Sequence, residues 1–322
     1  MIDHPSEREA RAFVEGQGLR FEPGVDEWAG LYENGRLVAT GARAGRILKM
    51  FAILPDHQGT DALGQLVTRL RASAEAAGHG DLFVFTAPDK ARSFEALNFR
   101  MLAAHGPVAL LEFGPGLEGW LASRATLVRP GRNGAIVLNG NPFTLGHLHL
   151  AELAARKVDN LYLFVVSEDR SAFPFQDRIR LAREATRHIP NATVLETGPY
   201  AVSAATFPTY FLKRIEEGTE AQMGLDLELF GRRIAPFFNV AARFAGDEPL
   251  CPLTAAYNRA MEAILPGAGV AVEIVPRLAL EGAPVSASRV RTALEARDWP
   301  LLAGLVPPAT LDHLKRMEEG RP

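Results

Sequence analysis

The sequence predicts an α/β protein of two domains, a mixed α/β unit over residues 1–125 and a doubly wound parallel sheet over 134–322. Three observations carry this. A chain of 322 residues, 47% hydrophobic and 23% charged, is globular and long enough for two cores of ~150 residues each. The stretch SRATLVRPGRNG, residues 123–134, is rich in Arg, Gly and Pro and has no apolar periodicity, which marks a linker with its boundary near residue 130. Beyond it, short apolar runs alternate with helical stretches, the pattern of a parallel sheet covered by helices on both faces.

In the front unit, LYENGRLVATG sets Asn34-Gly35 between two apolar stretches, a hairpin signal because both turn residues accept positive φ. ILKMFAIL follows as a third strand, then a helix from Leu63 to Ala77, the strand DLFVFTA and a short helix ARSFEALNF. In the second unit the strands are AIVLN, LYLFVV, TVLE, ARFAG and VAVEIVP, with a helix after each of the first four.

Charge and composition narrow the function classes. A formal net charge of −3 provides no basic field for nucleic acid or an anionic membrane, so small molecules or another protein are the expected partners. The polar, acidic start MIDHPSEREARAFVEG is unlike a signal peptide, and no run approaches the ~20 apolar residues of a membrane helix. Cys251 is the single cysteine, which excludes internal disulfides and suits a reducing cytoplasm.

The stretch LNGNPFTLGHLHL, residues 138–150, falls at the first strand-to-helix turn of the second sheet, where ligands of such folds bind. A helix start there points free N–H groups and a positive dipole end at phosphate, and Gly146 allows close backbone approach. His147 and His149 are two apart, ~200° around a helix, and so cannot share a metal ion. His147 has a plainer reading, as a ring buried on one stripe with Leu150 and Ala154. At the first turn, however, that stripe overlooks the strand ends.

Thr144-Leu145-Gly146-His147 matches the (His/Thr)-x-Gly-His signature of the nucleotidylyltransferase superfamily, whose sheet is Rossmann-like. VSASRVR, residues 285–291, resembles that superfamily's (Ile)-Ser-Ser-Thr-x-x-Arg signature, with Ala287 removing one hydroxyl and Ser288 replacing Thr. The resemblance implies catalytic roles for Thr144, His147 and Arg291 around the phosphates of ATP. It implies ATP contacts from Asn141, Phe143 and Gly146, from Gly246 and Asp247 in ARFAGDEP, and from Ser286 and Ser288. Arg178 in FPFQDRIRLA and Lys213 in FPTYFLK become candidates for acceptor substrate or phosphate. ATP would bring Mg²⁺, and no protein metal site is expected.

The front unit, ending in SFEALNF, resembles the acetyltransferase fold of the GNAT superfamily. Its pyrophosphate loop would fall on Gln58–Leu63, where Asp61 stands in place of the central glycine. A carboxylate there repels diphosphate, so a scaffold or docking domain is expected rather than an acetyl-CoA-dependent transferase.

Five segments, GAIVLNGNPFTLGHLHLAELA, SEDRSAFPFQDR, SAATFPTYFLKR, AGDEPLCPLTAAYN and PVSASRVR, together resemble the citrate lyase ligase family, which also carries a GNAT-like front domain. The resemblance implies ATP-dependent acetylation of the prosthetic-group thiol on the acyl carrier subunit of citrate lyase, through acetyl-adenylate, with release of pyrophosphate and AMP. Two alternatives stay open: the equivalent acetate ligase for the malonate decarboxylase carrier, and an adenylyltransferase acting on a phosphorylated small molecule such as phosphopantetheine. An acetyl-CoA-dependent acetyltransferase and a regulatory nucleotide binder are further rivals. Asp61 counts against the first of these, and the intact Thr144-Gly146-His147 set counts against the second.

Overall fold

The computed structural model describes residues 1–207, 218–249 and 251–320, and its contacts divide the chain into two units, Met1–Trp120 and Leu121–Pro322. In the first unit a seven-stranded sheet is built from β1 (Ile2–Asp3), β2 (Glu27–Glu33), β3 (Arg36–Ala44), β4 (Ile47–Ile53), β5 (Leu82–Thr86), β6 (Arg100–His105) and β7 (Val108–Phe113), in the order β1-β2-β3-β4-β5-β7-β6. All its pairings are antiparallel except β4–β5. The Asn34-Gly35 turn takes positive φ at both residues, 51° and 76°, as the β2–β3 hairpin requires. The helices are α1 (Glu7–Gly16), α2 (Ala62–Ala76), α3 (Ala91–Glu95) and α4 (Gly116–Ala122), the last straddling the division between units.

The α2 helix buries Ala62, Leu66, Val67, Leu70 and Ala74 on one face, the spacing of an apolar stripe. At its start Asp61 lies over the first turn: a Cβ at Gly64 would meet Asp61 Oδ1 at 2.7 Å, and Gln65 Nε2 donates to Asp61 Oδ2 at 3.2 Å. This helix end already faces a carboxylate belonging to the chain.

The second unit carries a wholly parallel sheet of β8 (Asn133–Leu138), β9 (Asn160–Val165), β10 (Ala192–Glu196), β11 (Val240–Gly246) and β12 (Ala271–Val275), in the order β10-β9-β8-β11-β12. The two faces of β9 explain its continuous apolar run. Leu161, Leu163 and Val165 join one core with α5 (Leu145–Ala155) and α6 (Phe175–Thr186). Tyr162 and Phe164 point the other way, against Phe238 at 5.0 and 5.4 Å between ring centroids. Phe238 follows α7 (Thr219–Leu229), a π-helical turn at Phe230–Ile234 and α8 (Ala235–Phe237). Burial on both faces is what a doubly wound sheet demands.

The chain leaves β8 through α5 toward β9, then returns to β11 on the other side of β8, so the order reverses between β8 and β11. Ligands of such folds bind at that reversal, beyond the carboxyl ends of the strands. After β11 come α9 (Pro252–Ile264), β12, a two-stranded hairpin of β13 (Ala279–Leu280) and β14 (Ala283–Pro284), then α10 (Ala287–Glu295), α11 (Trp299–Leu305) and α12 (Pro308–Glu319). Among the described residues no helix is long and apolar enough to cross a membrane.

Candidate active site

The turn after β8 ends at Thr144, the N-cap of α5, and its side chain decides how His147 stands. Thr144 Oγ1 accepts from the His147 backbone N–H at 3.3 Å, while the Thr144 N–H donates to His147 Nδ1 at 3.0 Å. A reciprocal capping box results, with His in the place usually held by Glu or Gln. The Thr144 hydroxyl, only 1% exposed as a residue, lies 3.0 Å from the same ring nitrogen. It therefore orients His147 instead of standing free for phosphate.

The tautomer follows from this geometry. Nδ1 accepts a hydrogen bond from a backbone amide, so in the neutral ring the proton sits on Nε2, which then donates. No hydrogen bond joins Nε2 to a described residue. Burial, with a smaller contribution from the Arg277 guanidinium, lowers the His147 pKa from 6.5 to about 4. At neutral pH the ring is an uncharged imidazole whose Nε2–H donor has no hydrogen-bond partner among the described residues.

Phe143 supports that ring from below. It is fully buried in the core with Leu138 and Leu150, its ring 5.3 Å from the His147 ring. Its role is packing, worth roughly 2 kcal/mol of burial, and not a surface for nucleotide. Asn141 is likewise tied down: its side-chain oxygen accepts from Phe173 N–H at 3.0 Å, and its carbonyl accepts from Arg291 Nη1 at 2.6 Å.

That last bond joins the two signature segments. Ser286 caps α10 by accepting from Arg289 N–H at 3.2 Å, and Ser288 Oγ accepts from Arg291 Nη2 at 2.9 Å. The closest approach is at Gly146, where an added Cβ would lie 2.8 Å from the Val285 carbonyl oxygen and 3.4 Å from Thr144 Oγ1. Glycine at 146 is thus required by a neighbouring backbone of the protein itself. The starts of α5 and α10 abut, and their unpaired first-turn amides share one region of positive potential.

The third wall is the end of β11. Gly246 passes its carbonyl to Asn258 Nδ2 at 2.9 Å, and the Asp247 carboxylate accepts from Arg277 N–H at 2.9 Å. Arg277, just beyond β12, is a residue that no sequence motif singles out. Its Nε donates to the Asp247 carbonyl at 2.6 Å and its Nη2 pairs with Glu248.

Arg178 stands elsewhere than the sequence suggests. Instead of reaching toward an acceptor substrate, it is fully buried. Its guanidinium donates to the carbonyls of Phe173, Asn139, Val166 and Glu168 at 2.7–3.0 Å, and to Asn139 Oδ1 at 2.9 Å. It ties the turns after β8 and β9 to the start of α6. Burial lowers the Arg178 pKa, as it does that of Arg291, but a guanidinium stays charged. Lys213 lies outside the described residues. Cys251, half-buried, caps α9, and its N–H donates to Glu248 Oε1 at 3.1 Å. Among the described residues no group of three or more His, Cys, Asp or Glu could hold a metal ion.

A parallel sheet whose order reverses beside a Thr-x-Gly-His turn, with a Ser-x-x-Arg helix start locked against that turn, makes the second unit a doubly wound α/β domain with both signature segments at one site. Residues 133–314 match the model of the citrate lyase ligase C-terminal domain. The chain is 42% identical over 291 residues to a [citrate [pro-3S]-lyase] ligase of Klebsiella pneumoniae, covering 88% of this chain and 85% of that protein. Against the protein of the same name from Escherichia coli K12, identity is 34% over 319 residues, covering 97% and 91%. Among solved structures, Thermotoga maritima TmcAL bound with alpha-thio ATP is similar at a TM-score of 0.41 and 14% identity, covering 59% of this chain and 56% of that one. The chain belongs to the citrate lyase ligase family and is an enzyme, a ligase.

Proposed function

We propose that this ligase uses ATP and acetate to acetylate the prosthetic-group thiol on the acyl carrier subunit of citrate lyase, through acetyl-adenylate, releasing pyrophosphate and AMP in the cytoplasm. The observation that carries the reading is the Thr144–His147 box: it holds a neutral imidazole, its Nε2–H without a partner among the described residues, at the abutting starts of α5 and α10.

Acetate has a carboxyl pKa near the ~4.3 of Glu and is already a nucleophile at neutral pH, so attack on the α-phosphorus needs no general base. The site has to stabilise charge. His147 Nε2–H donates to the α-phosphate as it becomes five-coordinate, with Thr144 as the positioning residue. The amides of Leu145 and Gly146 face the same phosphate, and Arg291 with Ser286 and Ser288 holds the β- and γ-phosphates. Asp247 and Gly246 line the ribose side. Mg²⁺ carried in on the ATP phosphates supplies further neutralisation of the departing pyrophosphate. The carrier thiol, a few per cent thiolate on a reference pKa of ~8.5, then attacks the acetyl carbonyl carbon; the C–O bond to AMP breaks and a thioester forms.

We assign residues 1–125 to docking of the carrier or its prosthetic arm, and residues 134–322 to adenylation, with Asp61 in the front domain as the reason no acetyl-CoA is used. Lys213 remains a candidate partner for phosphate or acetate. The test is product analysis with carrier protein and labelled acetate. The expected result is one AMP and one pyrophosphate for each acetyl thioester formed; ADP with inorganic phosphate, or acetyl transfer from acetyl-CoA without ATP, would refute it.

A further inference from the structure

Arg277 follows β12, thirty positions after the Asp247 it grips through both its backbone and its guanidinium. Its backbone N–H meets Asp247 Oδ1, its Nε meets the Asp247 carbonyl, and its Nη2 pairs with Glu248. Glu248, with a side chain only 8% exposed, is fixed in turn by the Cys251 N–H. The Arg277 stem lies across Gly246, where an added Cβ would come 3.7 Å from Cγ and 3.8 Å from Nε. One edge of the guanidinium is therefore clamped onto the end of β11. The Nη1 edge makes no hydrogen bond to a described residue, and the side chain keeps 23% of its surface exposed.

The Arg277 stem lies at the end of β11, one of the two strands between which the sheet order reverses. Arg presents a planar fork whose two edges act separately, and one clamped edge fixes the direction of the other. The group is also close enough to His147 to disfavour its protonation. The parallel pairing of β8 with β11 and of β11 with β12 sets both donors, the neutral imidazole N–H after β8 and the guanidinium after β12, at the same end of the sheet. Uncompensated donors gathered in this way bind an anion.

The geometry points to Arg277 as an oxyanion-binding residue of the active site, its open Nη1 edge sharing with His147 Nε2–H the oxygens of the reacting phosphate or of the incoming carboxylate. Asp247 and Glu248 are its positioning residues. The assignment rests on the proposed function and goes beyond either sequence signature.

The experiment compares wild-type protein with Arg277→Gln and Arg277→Lys. ATP affinity is measured by calorimetry with Mg²⁺, the KM for acetate by ATP–pyrophosphate exchange, and thermal stability in parallel. Loss of a charge-assisted bond in Arg277→Gln should weaken one ligand by roughly tenfold to a hundredfold, and Arg277→Lys should recover part of it. A raised ATP Kd assigns the edge to phosphate; a raised acetate KM with unchanged ATP Kd assigns it to the carboxylate. If Arg277→Gln does not fold, Arg277→Lys, which keeps the charge but loses the fork, should still weaken one ligand several-fold. Unchanged ATP Kd and acetate KM in a folded variant, with only its melting temperature lowered, would make Arg277 a loop clamp and overturn the proposal. A wild-type enzyme without acetate-dependent exchange would refute the proposed function instead, and the ATP-binding arm would still decide the role of Arg277.

Discussion

Gly146→Ala offers a sharp test of how the two signature segments are held together. The new Cβ would sit 2.8 Å from the Val285 carbonyl oxygen and 3.4 Å from Thr144 Oγ1. The first contact is some tenths of an ångström too short, and its partner is a backbone carbonyl, which cannot swing away as a side chain would. Relief must come from separating the start of α5 from Val285 and the α10 cap beyond it. Overpacking of this kind costs about 1–3 kcal/mol. Replacing Gly by Ala in a helix returns ~0.5–1 kcal/mol, an upper limit at the first turn, so the steric cost wins and a net loss of about 1–2 kcal/mol is expected. Activity should fall further, because a misplacement near 1 Å in a site of this kind can cost ~10²-fold. The assays are urea denaturation and acetate-dependent ATP–pyrophosphate exchange. Gly246→Ala is the stability control: its Cβ meets only ordinary contacts at 3.7 and 3.8 Å, so its stability should change by less than about 0.5 kcal/mol. A Gly146→Ala protein more stable than wild type and fully active would show that the approach of Val285 constrains nothing.

Four further outcomes are expected. His147→Ala should lower exchange by ~10²- to 10³-fold while ATP still binds, whereas His149→Ala should be nearly silent; equal effects would mean that the Nε2–H donor has no special role. Because the folded pKa of His147 is depressed to about 4 from 6.5, the unfolded chain binds more protons between those values. Stability from this group is therefore full above about pH 6.5 and is lost as pH falls toward 4, and an NMR titration that put the ring near 6.5 in the native protein would contradict it. Arg178→Met should destabilise by about 3 kcal/mol or more, since several buried carbonyls lose their donor; a stable variant with a raised KM for the acceptor would restore the substrate role suggested by sequence. Arg291→Ala should lose both exchange and grip on Asn141, and normal activity would exclude it from the site.

The parallel sheet is legible in the sequence because its strands are buried on both faces. LYLFVV has no polar alternation to confuse with a half-exposed strand, and the helices between such runs are long enough to register. The α1 helix is harder to see, since it buries only Ala10 and Val14 in a stretch that otherwise reads as a polar start. The β6–β7 hairpin, residues 100–113, follows a short helix without a marked break and is absent from a reading by periodicity. In the site, Thr144, His147 and Arg291 stand out because their spacing is local to two short segments. Arg277 does not, because it meets Asp247 only through the parallel pairing of β11 with β12. Arg178 stands out but for another reason than its actual one: nearly all its acceptors are backbone carbonyls, which any residue type supplies and no sequence pattern displays. The same holds at Gly146, where the glycine can be noticed in the sequence but the Val285 carbonyl that requires it cannot.

The most direct test of the central claim is ATP–pyrophosphate exchange by the purified protein with Mg²⁺ and acetate, and with no carrier present. If acetyl-adenylate forms in the second domain before any thiol takes part, labelled pyrophosphate will enter ATP in proportion to acetate, and phosphopantetheine will not replace the acid. Exchange driven by phosphopantetheine and not by acetate, or exchange that appears only when the carrier is added, would contradict it.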